Sequence, residues 1–243
     1  SVRDRLVVSL IAALLISVSL SIFFGTAAVT ELDKFALVFA GASLRLIGVF
    51  GLLLFTVFFI RRSFDARDVE FLLSRPVGRV QFLVSYAFAL SLLAIGLTIT
   101  QGVCLYILVP QNFGLGHVLW IVSMAVENII MVNAALFFSM VLSSAASAAM
   151  ATTGFYVLAR LMGQILGIID AHEAGGALFD LLQHLMELVS VVTPRLDLMG
   201  QSTWLIYGLE NNGIGFAYVL AQGIAFAAVL VLASLVDLVR RQF

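Results

Sequence analysis

Three charged side chains stand inside long apolar runs: Arg45 within Phe35 to Ile60, Glu127 within Val118 to Leu142, and Arg160 within Ala146 to Ile169. A charge at the centre of a bilayer costs at least about 2.5–3.5 kcal/mol on insertion scales, so such groups turn toward a protein interior and pair. Counted along each helix at about 1.5 Å per residue, the three fall at a similar depth. Glu127 is therefore expected to pair with Arg45 or Arg160, leaving one surplus positive charge. That surplus could meet an anionic or polar headgroup, with Asn128, Asn133 and Gln164 nearby. Alternatively, backbone carbonyls satisfy it while the ion pair fixes helix register.

Little other chemistry is available. No serine sits in a G-x-S-x-G elbow, and no histidine lies near Cys104, which falls within an apolar run. Glu127 is the sole acid inside the apolar runs, which excludes a paired-acid intramembrane hydrolase. His117, His172 and His184, with Glu173 and Asp180, share one predicted side but lack a close ligand motif, so no metal site is expected. An enzyme is not expected.

The elements that position these charges follow from composition. Of the 243 residues, 62% are hydrophobic and 11% charged, with a mean hydropathy of +1.13. A soluble domain is about half apolar and a quarter charged, so lipid must be the solvent. The net charge of -1 argues against nucleic acid as a partner, and a single cysteine rules out a disulfide within the chain.

Spans of about 20 apolar residues are needed to cross the bilayer. Six are predicted in one transmembrane domain covering 1–243: 6–24, 35–60, 80–109, 118–142, 146–169 and 214–236. These runs are too long and continuous for barrel strands, so the expected fold is an all-α bundle. Nine basic residues (Arg3, Arg5, Arg61, Arg62, Arg67, Arg75, Arg79, Arg240 and Arg241) share one side; only Lys34 and Arg195 lie on the other. The positive-inside rule then places both termini in the cytoplasm. Arg3 and Arg5 before an apolar run also match the opening of a secretory signal, but no small-x-small cleavage site follows, and an uncleaved first span is expected.

Two connections carry information. On the inner side, 63–77 is expected to form a short helix, with Ser63 capping its start, Asp65 and Asp68 at its positive end, and Arg75 before the terminating Pro76. Val69, Leu72 and Leu73 give it a narrow apolar stripe, suited either to a groove on a partner or to the membrane surface. On the outer side, 170–213 is the longest soluble stretch. Its Ala177 to Val192 region is patterned as an amphipathic helix that could cap the bundle or dock an outer partner. Trp204, Tyr207 and Tyr218 are expected at the outer headgroup level. The small-residue run Ser143 to Gly154 permits close helix approach, within one subunit or across a dimer seam.

The segment Glu70-Phe-Leu-Leu-Ser-Arg-Pro-Val-Gly-Arg79, between the second and third predicted spans, resembles the coupling-helix region of ABC-2 type transporter permeases. The similarity is closest to the branch related to copper-enzyme maturation permeases. A second similarity is Thr193-Pro-Arg-Leu-Asp-Leu-Met199 before the last span. The chain departs from the family in carrying Ser85-Tyr86 where a Gly-Lys pair is common.

The resemblance implies the membrane subunit of an exporter in a bacterial-type inner membrane, working as a dimer on a lipid-like or amphipathic substrate. It assigns ATPase coupling to Asp68, Val69, Glu70, Leu72, Leu73, Arg75, Pro76 and Arg79. A phosphate-cradling G-x-x-x-x-G-K-[ST] loop needs a lysine after glycine, and the only lysine, Lys34, follows Glu-Leu-Asp. ATP and Mg would therefore reside on a separate ABC ATP-binding subunit, with no cofactor in this chain. An ATP-independent carrier or channel built on Arg45, Glu127 and Arg160 is the alternative.

Overall fold

The computed structural model describes residues 8, 12–16, 19–20, 32–65, 78–108, 110, 113–170, 184, 186, 189, 193–209 and 214–240. Every element among them is helical: α1 (Leu32–Asp65), α2 (Arg79–Leu108), α3 (Leu115–Val141), α4 (Ala145–Asp170), a 3-10 turn (Leu196–Leu198), the short α5 (Thr203–Ile206) and α6 (Phe216–Arg240). Within the described residues, four helices are long and apolar enough to cross a membrane: those of α1, α2, α3 and α6. They fit a multi-pass membrane protein. The fifth predicted span coincides with α4, a 26-residue helix that carries Arg160.

The helices are apolar almost all round, so side-chain size and packing, more than polarity, separate the inner face from the outer one. On α2, Leu83, Ala87, Leu90 and Ala94 recur at spacings of three and four and are buried, whereas Val84, Phe88, Leu92 and Ile99 on the same helix are exposed. Exposed phenylalanine and isoleucine in a continuous helix need an apolar surrounding. Central α3 packs against α1, α2, α4, α5 and α6. Its core side chains Leu119, Trp120, Met124, Ile130 and Met131 join Val49, Leu53, Tyr156 and Trp204 in one cluster. Of the first predicted span, Leu14 is buried against Leu44 and Cys104.

The connections expected on the inner side differ in part from expectation. Helix α1 does not stop at residue 60; it continues to Asp65, and its 34 residues extend about 51 Å, well beyond a hydrocarbon core of about 30 Å. Ser63 is therefore inside a helix, not capping one, and its hydroxyl donates to the Phe59 carbonyl at 3.1 Å. Arg61 shows why the extension is useful. It reaches across to the turn between α3 and α4, donating to the carbonyls of Leu142 at 3.1 Å and of Ser143. Leu142 is the C-cap of α3, whose carbonyl has no partner within that helix. Ser144 then starts α4 by accepting from the Ser147 amide at 3.1 Å. The coupling positions Asp68, Val69, Glu70, Leu72, Leu73, Arg75 and Pro76 lie outside the described residues, and Arg79 opens α2.

The small-residue run packs on one side only. Ala148 and Thr152 are buried within the bundle, whereas Met150 is exposed and Gly154 has open space around its α-carbon. By contrast, a Cβ on Gly116 would come within 2.3 Å of the Trp204 carbonyl oxygen and 2.8 Å of the Gly208 α-carbon. Gly116→Ala is thus expected to lower the thermal midpoint in detergent. Gly154→Ala, in the interior of α4, should leave it unchanged or raise it, gaining about 0.5–1 kcal/mol of helix propensity.

Candidate functional site

The three charges of the apolar runs are brought together by four pieces of chain. Arg45 comes from α1, Glu127 from α3 and Arg160 from α4; the fourth piece is the segment 193–200, which folds back against them. Glu127 is fully buried. Its Oε2 lies 3.5 Å from Arg45 Nε, and its Oε1 accepts a hydrogen bond from the Tyr156 hydroxyl at 3.0 Å. Of the two pairings open to the sequence, Arg45 is the one formed. The Arg45 guanidinium also lies 5.7 Å from the centre of the Trp120 ring and 3.4 Å from the Met124 sulfur, both soft partners for a weakly hydrated cation.

Arg160 is satisfied by dipoles. Its Nη1 donates to the carbonyls of Leu196 and Met199, the latter at 2.8 Å. Arg45 Nη2 donates to the next carbonyl along, that of Gly200. The two guanidinium groups therefore converge on consecutive carbonyls of one turn, and the Arg45–Glu127 pair leaves the charge of Arg160 as the surplus. A guanidinium has five donors in a fixed fork, which suits it to gathering several carbonyls at once.

The turn fits because glycines open its seats. Gly200 has φ +56, and a Cβ there would overlap the Arg45 guanidinium at 1.6 Å. Asp197 sits over Gly163 of α4, where a Cβ would lie 2.3 Å from its Oδ2. Asp197 in turn receives two hydrogen bonds from Arg195, at 2.9 and 2.8 Å, and these hold the Arg195 guanidinium above its ordinary pKa. Downstream, Leu205 packs over Gly41 beside Trp120. Leu196 and Met199 are fully buried, as are nearly all of Trp204 and Leu205.

Much of 193–209 is thus a wedge buried against the helices, within the stretch expected to lie outside the spans. Trp204 is buried against the helices, whereas Tyr207 and Tyr218 are exposed. Of the expected amphipathic helix 177–192, only positions 184, 186 and 189 are described.

The polar amides do not gather around the surplus charge. Asn128 Nδ2 donates to Thr98 Oγ1 at 2.9 Å and to Gln101 Oε1 at 3.3 Å, while Gln101 Nε2 crosses Gly48 to the Leu44 carbonyl at 2.7 Å. Asn133 donates to Ser91 at 3.2 Å, and Gln164 is exposed. These amides join α2 to α3 and α1, a role missed because helical spacing gives depth but not azimuth.

Chemically the layer holds one ion pair, one dipole-solvated cation and a tyrosine hydroxyl bound to the carboxylate. Among the described residues, no group of three His, Cys, Asp or Glu side chains is placed to hold a metal.

Removing Arg45 alone would strand the Glu127 carboxylate, a loss of about 3–5 kcal/mol for a broken buried pair. Arg45→Gln is therefore expected to lower the thermal midpoint sharply, and Arg45→Gln with Glu127→Gln to recover most of it. Exchanging Glu127 with Arg160 should not restore stability, since Arg45 is the partner.

No protein-family model matches the chain, and no curated protein matches it.

Proposed function

We propose that this chain is the transmembrane permease subunit of an ATP-driven ABC exporter of the ABC-2 type, moving a lipid-like or amphipathic substrate across or out of a bacterial-type inner membrane. The observation that carries a transport reading is the layer of Arg45, Glu127 and Arg160 inside a multi-pass bundle, closed at one end by the wedge. Ions kept among apolar helices are costly, and they belong to proteins that handle polar or charged groups within the membrane. A scaffold could build the same bundle from leucine and alanine.

The ATP-driven part of the reading rests on the resemblance of Glu70 to Arg79 to a coupling helix. In this account Val69, Leu72 and Leu73 fill a groove on a separate ATPase subunit, and Asp68, Glu70, Arg75 and Arg79 set its register. ATP and Mg reside on that partner. Helix α1, which runs past the hydrocarbon core to Asp65 and holds the α3–α4 turn through Arg61, is the element that would carry ATPase closure into the bundle. The open face of α4 around Met150 and Gly154 is suited to a second permease subunit in a homodimer. The charge layer also favours a second reading, an ATP-independent carrier or channel in which Arg160 meets the cargo.

Affinity purification of the tagged chain from its native membrane separates the two. The exporter reading expects an ATPase subunit to co-purify, and to be lost in Leu72→Asp with Leu73→Asp while the permease elutes unchanged. Transport by the purified chain in liposomes containing no ATPase would overturn it.

A further inference from the structure

Away from the charge layer, where α1 and α2 lie side by side, a cavity of about 350 Å³ opens between the two helices. Its described walls come from these helices alone: Phe55 and Phe59 of α1, and Ser85, Tyr86, Ala89, Leu90 and Leu93 of α2. Ser85, Ala89 and Leu93 are exposed, so a ligand arriving from outside the bundle can reach the walls.

The groove is made by unequal side chains. On α1 the rings of Phe55 and Phe59, four residues apart, lie stacked with centroids 5.9 Å apart and planes 5° from parallel. On α2 the wall residues Ser85 and Ala89, also four apart, are too small to fill the space beside them. Phe59 and Tyr86 approach to 6.0 Å and bridge the two helices. From behind, Phe55, Phe59 and Tyr86 pack against a buried cluster that includes Leu52, Leu83 and Leu90, so the groove is formed before any ligand enters.

Three observations say what covers it. The surroundings are apolar: beside the groove, Phe58, Phe88 and Leu92 are 51%, 70% and 59% exposed, and they need hydrocarbon around them. The same pair of helices already takes an apolar group elsewhere along its length, where Leu14 is buried against Leu44, Ile47 and Leu97. The third observation is charge. Phe55, Phe59 and Arg62 recur at i, i+4 and i+7 on one face of α1, which puts the exposed Arg62 one turn, about 4.5 Å, beyond the last ring. On α2 the exposed Gln81 stands one turn before Ser85, whose hydroxyl donates to the Gln81 carbonyl at 2.8 Å and so spends its proton within the helix. Both helices therefore place a polar side chain at the same end of an apolar groove.

We infer that this groove binds one acyl chain of an anionic phospholipid, whose phosphate meets Arg62. A guanidinium matches the paired oxygens of a phosphate, and a basic residue at the end of an apolar helix attracts anionic lipid. A free anion would make no use of the aromatic wall, and a neutral lipid would make no use of Arg62. The inference does not depend on the transport reading, since a retained structural lipid and a cargo would use the groove alike.

The test uses the purified full chain in maltoside micelles with phosphatidylglycerol carrying a photoreactive diazirine on one acyl chain. Peptide mass spectrometry maps the adducts after illumination. They should concentrate on the Phe55–Phe59 and Ser85–Leu93 faces, above the level at Ile224, an equally apolar control that is 71% exposed on α6. Unlabelled phosphatidylglycerol should compete, and a galactosyl diacylglycerol of the same chain length should compete about fivefold less well. Ala89→Leu, which fills the groove from an exposed position, should cut the adducts there by about fivefold and leave those at Ile224 unchanged; Arg62→Gln should remove the preference for phosphatidylglycerol over the galactolipid.

Adduct density no higher in the groove than at Ile224, or equal competition by the two lipids, would overturn the proposal. Absence of adducts from both faces would mean that a second copy or another part of the chain fills the groove, and would also overturn it. The adduct map and the competition need no variant, so a poorly folding substitution leaves the test intact.

Discussion

The structure depends on one constraint: a charge placed among apolar helices must be neutralised or solvated by the protein itself. Arg45, Glu127 and Arg160 meet it in two ways. The carboxylate takes one guanidinium and a tyrosine hydroxyl; the second guanidinium takes carbonyls. Because those carbonyls belong to residues 196–200, solvating Arg160 requires the chain beyond α4 to turn back into the bundle. Three ionic side chains thereby specify where five pieces of backbone meet: α1, α3, α4 and, through Trp204 and Leu205, the turn and α5.

Close approach makes this affordable. At Gly41, Gly116, Gly163 and Gly200, a methyl group would collide with the wedge or with the guanidinium that holds it. Gly48 likewise lets Gln101 cross α1 to a main-chain carbonyl. Lipid provides no hydrophobic force between helices, so close contacts and hydrogen bonds of this kind hold the bundle together. Together they make one end of the bundle a tightly seated closure, while Arg61 ties the opposite end of α1 to the α3–α4 turn.

The helices were legible in the sequence because apolar length is a local property. The runs for α1 to α4 and α6 lie within a few residues of the observed helices at most of their ends. Charge also predicted that Glu127 would be paired, and left a headgroup or backbone carbonyls as the alternatives for the second arginine. Which arginine does which is not local information: depth along a helix comes from counting residues, but azimuth comes from how α1, α3 and α4 are rotated against one another. The burial of Trp204 was not legible for a related reason: the close approach at Gly116, far away in the chain, is what covers it. A sequence signal for the wedge does exist. Gly200 sits between Leu196–Met199 and Trp204–Ile206, two apolar clusters too short to span a membrane yet too apolar for a surface loop.

The proposed transport role needs an interior that can be polar and a closure that can be held, and the arginine ties to the wedge are suited to both. The most direct measurement is the reactivity of Met199→Cys, in a Cys104→Ala background, toward a membrane-impermeant maleimide applied to the reconstituted chain. Met199 is buried and its carbonyl binds Arg160, so the cysteine should be unreactive with Arg160 in place and reactive in Arg160→Gln, while the exposed control Tyr207→Cys reacts in both. Equal labelling of Met199→Cys with and without Arg160 would contradict the account, because the wedge would then be held by something other than the buried charge.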